Sequence, residues 1–332
     1  MNISDFAKIA GVSKSAVSRY FNNGYLSEDK RIKIEKAIEK TGYSPSISAR
    51  SVRTRVTKLV GVILPKLSSE SCARVAEGIS EVLDSEGYQL LLVNTANDCR
   101  KELDYLELFR QNRVDGVILL ATILTDLHKS VLSKMHVPVV IVGQRLDGFN
   151  CVCRDDKGAA YALTKLMLDK DRRRPGYIGV TLDDIAAGKA RWEGFKKAVS
   201  ESGLDLPKKY IETAKFDIDS GYEKASRMLS GKDIPDCIFC ATDNIAIGAM
   251  LCCKEKGLRI PEDVMISSIG DTKTGKAAYT PLTTAHFHYK TAGIDAAEML
   301  LLEIKRGNSV GKILQLDYDI IERDSTGKYE TV

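Results

Sequence analysis

What the chain lacks narrows its reading first. No apolar run among the 332 residues approaches the roughly twenty needed to cross a bilayer. No basic, apolar and small-residue leader stands at its start. A protein with no membrane partner that stays in the cytoplasm is therefore expected. Histidine is scarce, and the four present, His128, His136, His286 and His288, are too scattered for a zinc site. No Ser-His-Asp constellation or supported acid and base pair is found, so no catalytic machinery is expected and no cofactor or metal is implied.

Eight cysteines are enough for metal or redox chemistry, but their spacing opposes it. Cys237 and Cys240 fall on an expected strand, where residues three apart point to opposite faces, and Cys252 and Cys253 diverge on a helix. Cys151 and Cys153 share a strand face with no histidine nearby; with Cys72 and Cys99 they read as free thiols. Gly270-Asp271-Thr272-Lys273-Thr274-Gly275-Lys276-Ala277 nearly spells a phosphate-binding loop. Ala277 has no oxygen for magnesium, and Pro281 follows too soon for a long helix.

What the chain has is concentrated at its amino end. Residues 2 to 22 read as two short helices around a tight turn. Asn2 caps the first, Ile3, Phe6, Ala7 and Ala10 recur at helical spacing, Gly11 turns the chain and Ser13 caps the second. Val17 and Phe21 then face inward, leaving Lys14, Ser15, Ser18, Arg19 and Asn22 as an outer face of short or basic hydrogen-bonding groups suited to a major groove. Ser27 is the natural cap of a third helix over residues 28 to 40, whose Ile34, Ala37 and Ile38 close a small core. Residues 1 to 58 carry twelve Lys and Arg against five Asp and Glu, net +7, whereas the whole chain is +4 and the remainder therefore −3. A basic head on a mildly acidic body is the asymmetry of a part that neutralises phosphates joined to a part with another task.

Beyond residue 58, short apolar runs alternate with longer amphipathic ones: 59–64, 88–93, 115–121, 138–142, 176–180, 236–241 and 265–269. Continuous apolar runs between helices predict strands buried on both faces, hence doubly wound parallel sheets. Two such units in series, changing over near residues 150–160, would hold a small molecule in the cleft outside their strand ends.

These residues reach a family. Ala10–Ser13, Val17–Arg19 and Asn22 closely resemble the head of the lactose-repressor (LacI/GalR) family, and Gly42-Tyr43-Ser44-Pro45 with Ala49–Thr54 looks like its hinge. Ala241-Thr242-Asp243 leading into Ala246–Ala249, Pro281–Thr284 and Arg323–Thr326 carry the resemblance through nearly the whole chain. It implies a helix-turn-helix head over 1–45, a hinge helix and linker over 46–58, and a periplasmic-binding-protein-like body of two doubly wound α/β subdomains over 59–332, with crossovers near 285–290 and 318–320. The fold class is thus α joined to α/β.

The resemblance also implies roles. Lys14, Ser15 and Arg19 choose bases, with Arg19 expected on a guanine, while Ser13, Ser18 and Asn22 position on phosphates. Tyr43, Ala49, Arg50, Val52 and Arg53 extend the DNA-contacting set. Residues 46–54 are too short for a stable free helix, so the hinge forms on DNA, and Val52 stands where relatives wedge a leucine into the minor groove. In the cleft, Asp155, Arg191, Phe216, Asp243, Phe287 and Tyr289 fall at the family's effector positions. Gly270 stands where an aspartate usually binds ligand, with Asp271 one position on as substitute. Carboxylates, an arginine and aromatic platforms suit a sugar. The expected protein is a homodimeric repressor of a carbohydrate-utilisation operon, released from a pseudo-palindromic double-stranded DNA operator by a sugar. The alternatives are a corepressor-dependent regulator responding to a purine or phosphorylated metabolite, and a solute-binding protein without DNA activity.

Overall fold

The computed structural model describes residues 1–21, 24–43, 56–307 and 311–327. By its internal contacts the chain divides into two compact units, Met1–Lys58 and Leu59–Val332.

The first unit has three described helices, α1 (Ile3–Ala10), α2 (Lys14–Phe21) and α3 (Glu28–Thr41). Asn2 starts α1, its Oδ1 accepting from the amides of Ser4 and Asp5 at 2.9 and 3.0 Å. Gly11 ends α1 at φ 63°, a left-handed conformation that costs most other residues roughly 1–2 kcal/mol. Ser13 caps α2, its Oγ accepting from the Ala16 amide at 3.2 Å. Ser27 occupies the cap position of α3 but makes no side-chain cap bond; Glu28 and Asp29 in the first turn supply negative charge there. Phe6, Val17 and Ile34 are fully buried, and Tyr43 stacks on Phe6 with centroids 4.2 Å apart. This core decides which side of α2 is left outward.

The second unit holds twelve strands: β1 (Leu59–Leu64), β2 (Gln89–Asn94), β3 (Gly116–Leu120), β4 (Val139–Val142), β5 (Asn150–Arg154), β6 (Pro175–Gly179), β7 (Ile211–Thr213), β8 (Cys237–Cys240), β9 (Met265–Ile269), β10 (Thr283–Phe287), β11 (Ile313–Leu316) and β12 (Tyr318–Ile321). They form two six-stranded sheets, in the orders β11-β5-β4-β3-β1-β2 and β12-β10-β9-β8-β6-β7. The first is parallel throughout. The second is parallel except at its edge, where β12 runs antiparallel to β10 with Tyr318 opposite Phe287. The reason is the route of the chain. It leaves the carboxyl end of β10, builds β11 in the other sheet, and returns through the single residue Asp317 to the same end of β10, so β12 must run back.

Between strands lie α4 (Glu70–Ser85), α5 (Cys99–Gln111), α6 (Asp126–Leu132), α7 (Asp156–Leu168), α8 (Arg191–Glu201), α9 (Ile218–Met228), α10 (Asp243–Glu255), the single turn α11 (Lys273–Lys276) and α12 (Tyr289–Arg306). The helices start where the sequence offers side-chain oxygens: Asp98, Asp217 and Thr242 each accept from an amide of the following turn. Helix α12 packs on α4 at backbone distance. A Cβ on Gly78 would fall 2.1 Å from the Lys290 carbonyl oxygen, and one on Gly293 2.1 Å from that of Val75. Both glycines are there for closeness, and the contact sets the amino end of α4 beside the carboxyl ends of β3 and β4.

Candidate functional site

In the first unit, Ser13, Lys14, Ser15 and Arg19 are exposed and Ser18 is half-buried. The hydroxyls of Ser13 and Ser15 meet at 2.9 Å, so the amino end of α2 presents an ordered polar corner. Tyr43, expected among the DNA contacts, has its ring in the core, stacked on Phe6 and edge-on to Phe21. Asn22, Ala49, Arg50, Val52 and Arg53, with the expected hinge helix, lie outside the described residues.

In the second unit, a cavity of about 330 Å³ opens where the strands of both sheets end. Arg191, Phe216, Asp243 and Tyr289 line it. Arg191 begins α8, carried there by a turn of π-helix over Ile185–Ala190. Its Nε donates to Asp156 at 2.7 Å and its Nη1 donates to the Ala241 carbonyl, while the guanidinium lies 5.7 Å over the Phe287 ring. Burial works against its charge, but the Asp156 carboxylate more than offsets it, and its pKa is raised above the ordinary value. Phe216 is half-buried, and its carbonyl accepts from Lys66 Nζ, on the opposite wall, at 3.4 Å.

Asp243 faces the cavity with its carboxylate already occupied. Oδ1 accepts from Ser268 Oγ at 2.5 Å and Thr284 Oγ1 at 2.9 Å; Oδ2 accepts from the Thr272 amide and hydroxyl at 2.7 and 2.8 Å. It clips the loop after β9 into place. Tyr289 is buried, which pushes its phenol up.

Three expected effector residues stand off the cavity wall. Asp155 caps α7, accepting from the Gly158 amide at 2.8 Å, because an aspartate three residues from a bare helical N–H finds its partner locally. Asp271, at φ 50°, turns away from the lining set: its carboxylate takes Arg323 at 2.5 Å, His286 Nδ1 at 2.9 Å and Lys276 at 3.1 Å. Burial resists ionisation there, but the bonds from Arg323, Lys276 and His286 prevail and hold the carboxyl below its usual range. Phe287 is fully buried beneath two guanidiniums, those of Arg191 and Arg154.

Other lining residues escaped the sequence reading. Asp184 accepts from Gln144 Nε2 at 2.8 Å, joining one subdomain to the other, and from the amides of Ala186 and Ala187 at 3.1 and 2.9 Å. Burial pushes its carboxyl up. Arg154 ends β5 on the cavity wall. The available signal was position, since both are charged residues at or just past a strand's carboxyl end. The near match to a phosphate-binding loop forms the single turn α11, with Thr272 Oγ1 accepting from the Gly275 amide at 3.1 Å. All eight cysteines are free, and among the described residues no group of three or more His, Cys, Asp or Glu could hold a metal. Among the described residues no helix is long and apolar enough to cross a membrane.

Comparison with known proteins covers both units of the chain. Residues 2–46 match the family model for bacterial regulatory proteins of the lacI family, and residues 57–323 match that for periplasmic binding proteins and the sugar-binding domain of the LacI family. The chain is 30% identical over 328 residues to the HTH-type transcriptional regulator RegA of Clostridium saccharobutylicum, covering 98% of this chain and 99% of RegA. It is 33% identical over 299 residues to the sucrose operon repressor of Staphylococcus xylosus, covering 90% and 92%. The Lac repressor dimer bound to operator and the anti-inducer ONPF shares the fold, with a TM-score of 0.86 at 20% identity over 99% of each chain. With a helix-turn-helix head and a cleft built from both sheets of the body, the chain belongs to the LacI family and is a DNA-binding transcriptional regulator rather than an enzyme.

Proposed function

We propose that this regulator is a cytoplasmic homodimeric repressor of a carbohydrate-utilisation operon that leaves a pseudo-palindromic operator when a sugar enters the body's cleft. In this reading residues 1–45 are the DNA-binding head, 46–58 the hinge and 59–332 the body that binds effector and dimerises. Arg19, Lys14 and Ser15 read bases; Ser13, Ser18 and Asn22 hold phosphates; Ala49, Arg50, Val52 and Arg53 extend the contacts from the hinge, and Tyr43 supports the head from its core. Arg191 donates to the sugar's hydroxyls, with Phe216 and Tyr289 against its CH faces, while Asp243, its carboxylate taken by Ser268, Thr284 and Thr272, holds the loop after β9 on the cavity wall. Asp155, Asp271 and Phe287 act behind that surface, by capping α7, fixing the β9 loop and supporting the two arginines.

The observation that carries this reading is Arg191: a buried guanidinium, its charge matched by Asp156, on the wall of a cavity where two sheets end. The names of relatives support the class, one being a sucrose operon repressor. The test is a duplex selected in vitro by the full chain, followed by gel shift with a sugar panel. Release by a sugar, lost in Arg191→Ala while operator binding persists, is the expected result. A ligand that tightens the complex would establish the corepressor reading, and a protein that selects no duplex would leave only the solute-binding one.

A further inference from the structure

We propose that the cleft takes an anionic effector, a small molecule whose carboxylate or phosphate is gripped by Arg154. The inference rests on the cleft being the effector site and adds the charge of what enters it. Two arginines line the cavity in very different states. Arg191 has a carboxylate and a carbonyl. Arg154 has neither: among the described residues no carboxylate lies within ion-pair distance and no acceptor takes any of its N–H groups, and its Nε is buried without a partner.

Arg154 as a whole is half-buried, but its Nε is shut from water with no acceptor, and a buried donor left unpaired is costly unless a ligand completes it. The side chain is not merely stranded. Its guanidinium lies 5.5 Å over the Phe287 ring and 5.3 Å over the Tyr289 ring, and Gly143, at φ 94°, leaves it room: a Cβ there would come within 3.2 Å of Nη2. Rings support the face of the fork while its in-plane donors stay free, the geometry that accepts a planar or tetrahedral oxyanion through paired bonds.

The surroundings agree in sign. Lys66 adds a third cation to the wall, and the amino end of α4, capped by Ser69, brings the positive end of a 16-residue helix. The carboxylates nearby are committed elsewhere. Glu70 is taken by Arg74 at 2.5 Å and the Lys273 amide at 2.9 Å, Asp243 by the β9 loop, and Asp184 by Gln144 and two backbone amides, with Arg191 and Asp156 as its charged neighbours.

The test uses full-length protein at constant ionic strength in chloride, wild type beside Arg154→Met, with Arg154→Gln as a polar second variant should methionine impair folding. Thermal shift and calorimetry are run against inorganic phosphate, acetate, and glucose, galactose and mannose, each paired with its uronate and its 6-phosphate. The expected result is that at least one anion raises the melting temperature where its neutral parent does not, and that the variants bind it about tenfold or more weakly. Acetate and the uronates against phosphate and the 6-phosphates tell a carboxylate ligand from a phosphate one. The inference is overturned if anions bind wild type and variants alike, if only neutral sugars bind, or if nothing in the panel binds. A neutral sugar that releases operator equally in wild type and variants sinks this inference and leaves the proposed function standing. Anion binding through Arg154 with no effect on operator does the reverse.

Discussion

Asp271 shows how far a single side chain's surroundings decide its role. A carboxyl held below its usual range contributes stability above its unfolded pKa of about 4, and that contribution disappears as pH falls through the still lower folded value. Asp271→Asn, which leaves Arg323 without its counter-charge, should therefore cost on the order of 3 kcal/mol at neutral pH. The gap from wild type should close in acid, as chemical denaturation between pH 7 and pH 3 will show; a pH-independent difference would remove the ion pair from the account. At the other end of the chain, Arg19→Ala should cost about 1–3 kcal/mol and relax preference at one half-site position. Equal weakening on every duplex would make Arg19 a phosphate contact. Residue type pointed to Arg191, which lines the cavity, and to Asp155, which caps α7 and stands off the wall. An aspartate beside a helix start satisfies itself three residues on, and that local bond is invisible in a reading that seeks only ligand chemistry.

At the scale of elements, legibility followed unbroken apolar sequence: half-exposed β2 was read, whereas β5 and β10, mostly buried but carrying Asn150, Thr283 and Thr284, were not. Strands β1, β3, β4, β8 and β9 are covered on both faces, so their apolar runs stood out. The edge strands β7, β11 and β12 are short and half-exposed, and their mixed sequences carry no comparable signal. The three head helices were read from spacing and caps, and the Ser27 cap failed only as a side-chain bond. Helix packing is where small residues become decisive. Gly78→Ala would press a methyl on the Lys290 carbonyl, and overpacking of this kind costs roughly 1–3 kcal/mol. Thermal melts should show that loss, and calorimetry should show weaker effector binding, because α4 brings Ser69 to the cavity. A variant with unchanged stability would mean that the two helices separate freely.

Across the whole body, the two subdomains meet over the cleft through specific bonds. Arg74 Nη2 donates to the Asp271 carbonyl at 2.9 Å, Glu70 accepts from the Lys273 amide at 2.9 Å, and Gln144 reaches Asp184 at 2.8 Å. Glu70→Ala should accelerate hydrogen exchange at the Lys273 amide and lower effector affinity, since a ligand that closes the cleft must then supply the closing energy alone. Unaltered exchange would show that this contact does not hold the halves together. The sequence puts the changeover between halves near residues 150–160, yet it could not reveal these bonds, which join residues more than two hundred positions apart in one case and forty in another. The return of the chain through Asp317 alone has a mechanical outcome. With one residue between β11 and β12, the facing ends of the two strands stay within a few residues' reach, so any movement of one half relative to the other must pivot close to Asp317. Lengthening that link by a few glycines would loosen the pivot, and occupancy of the cleft would then no longer dictate a single posture.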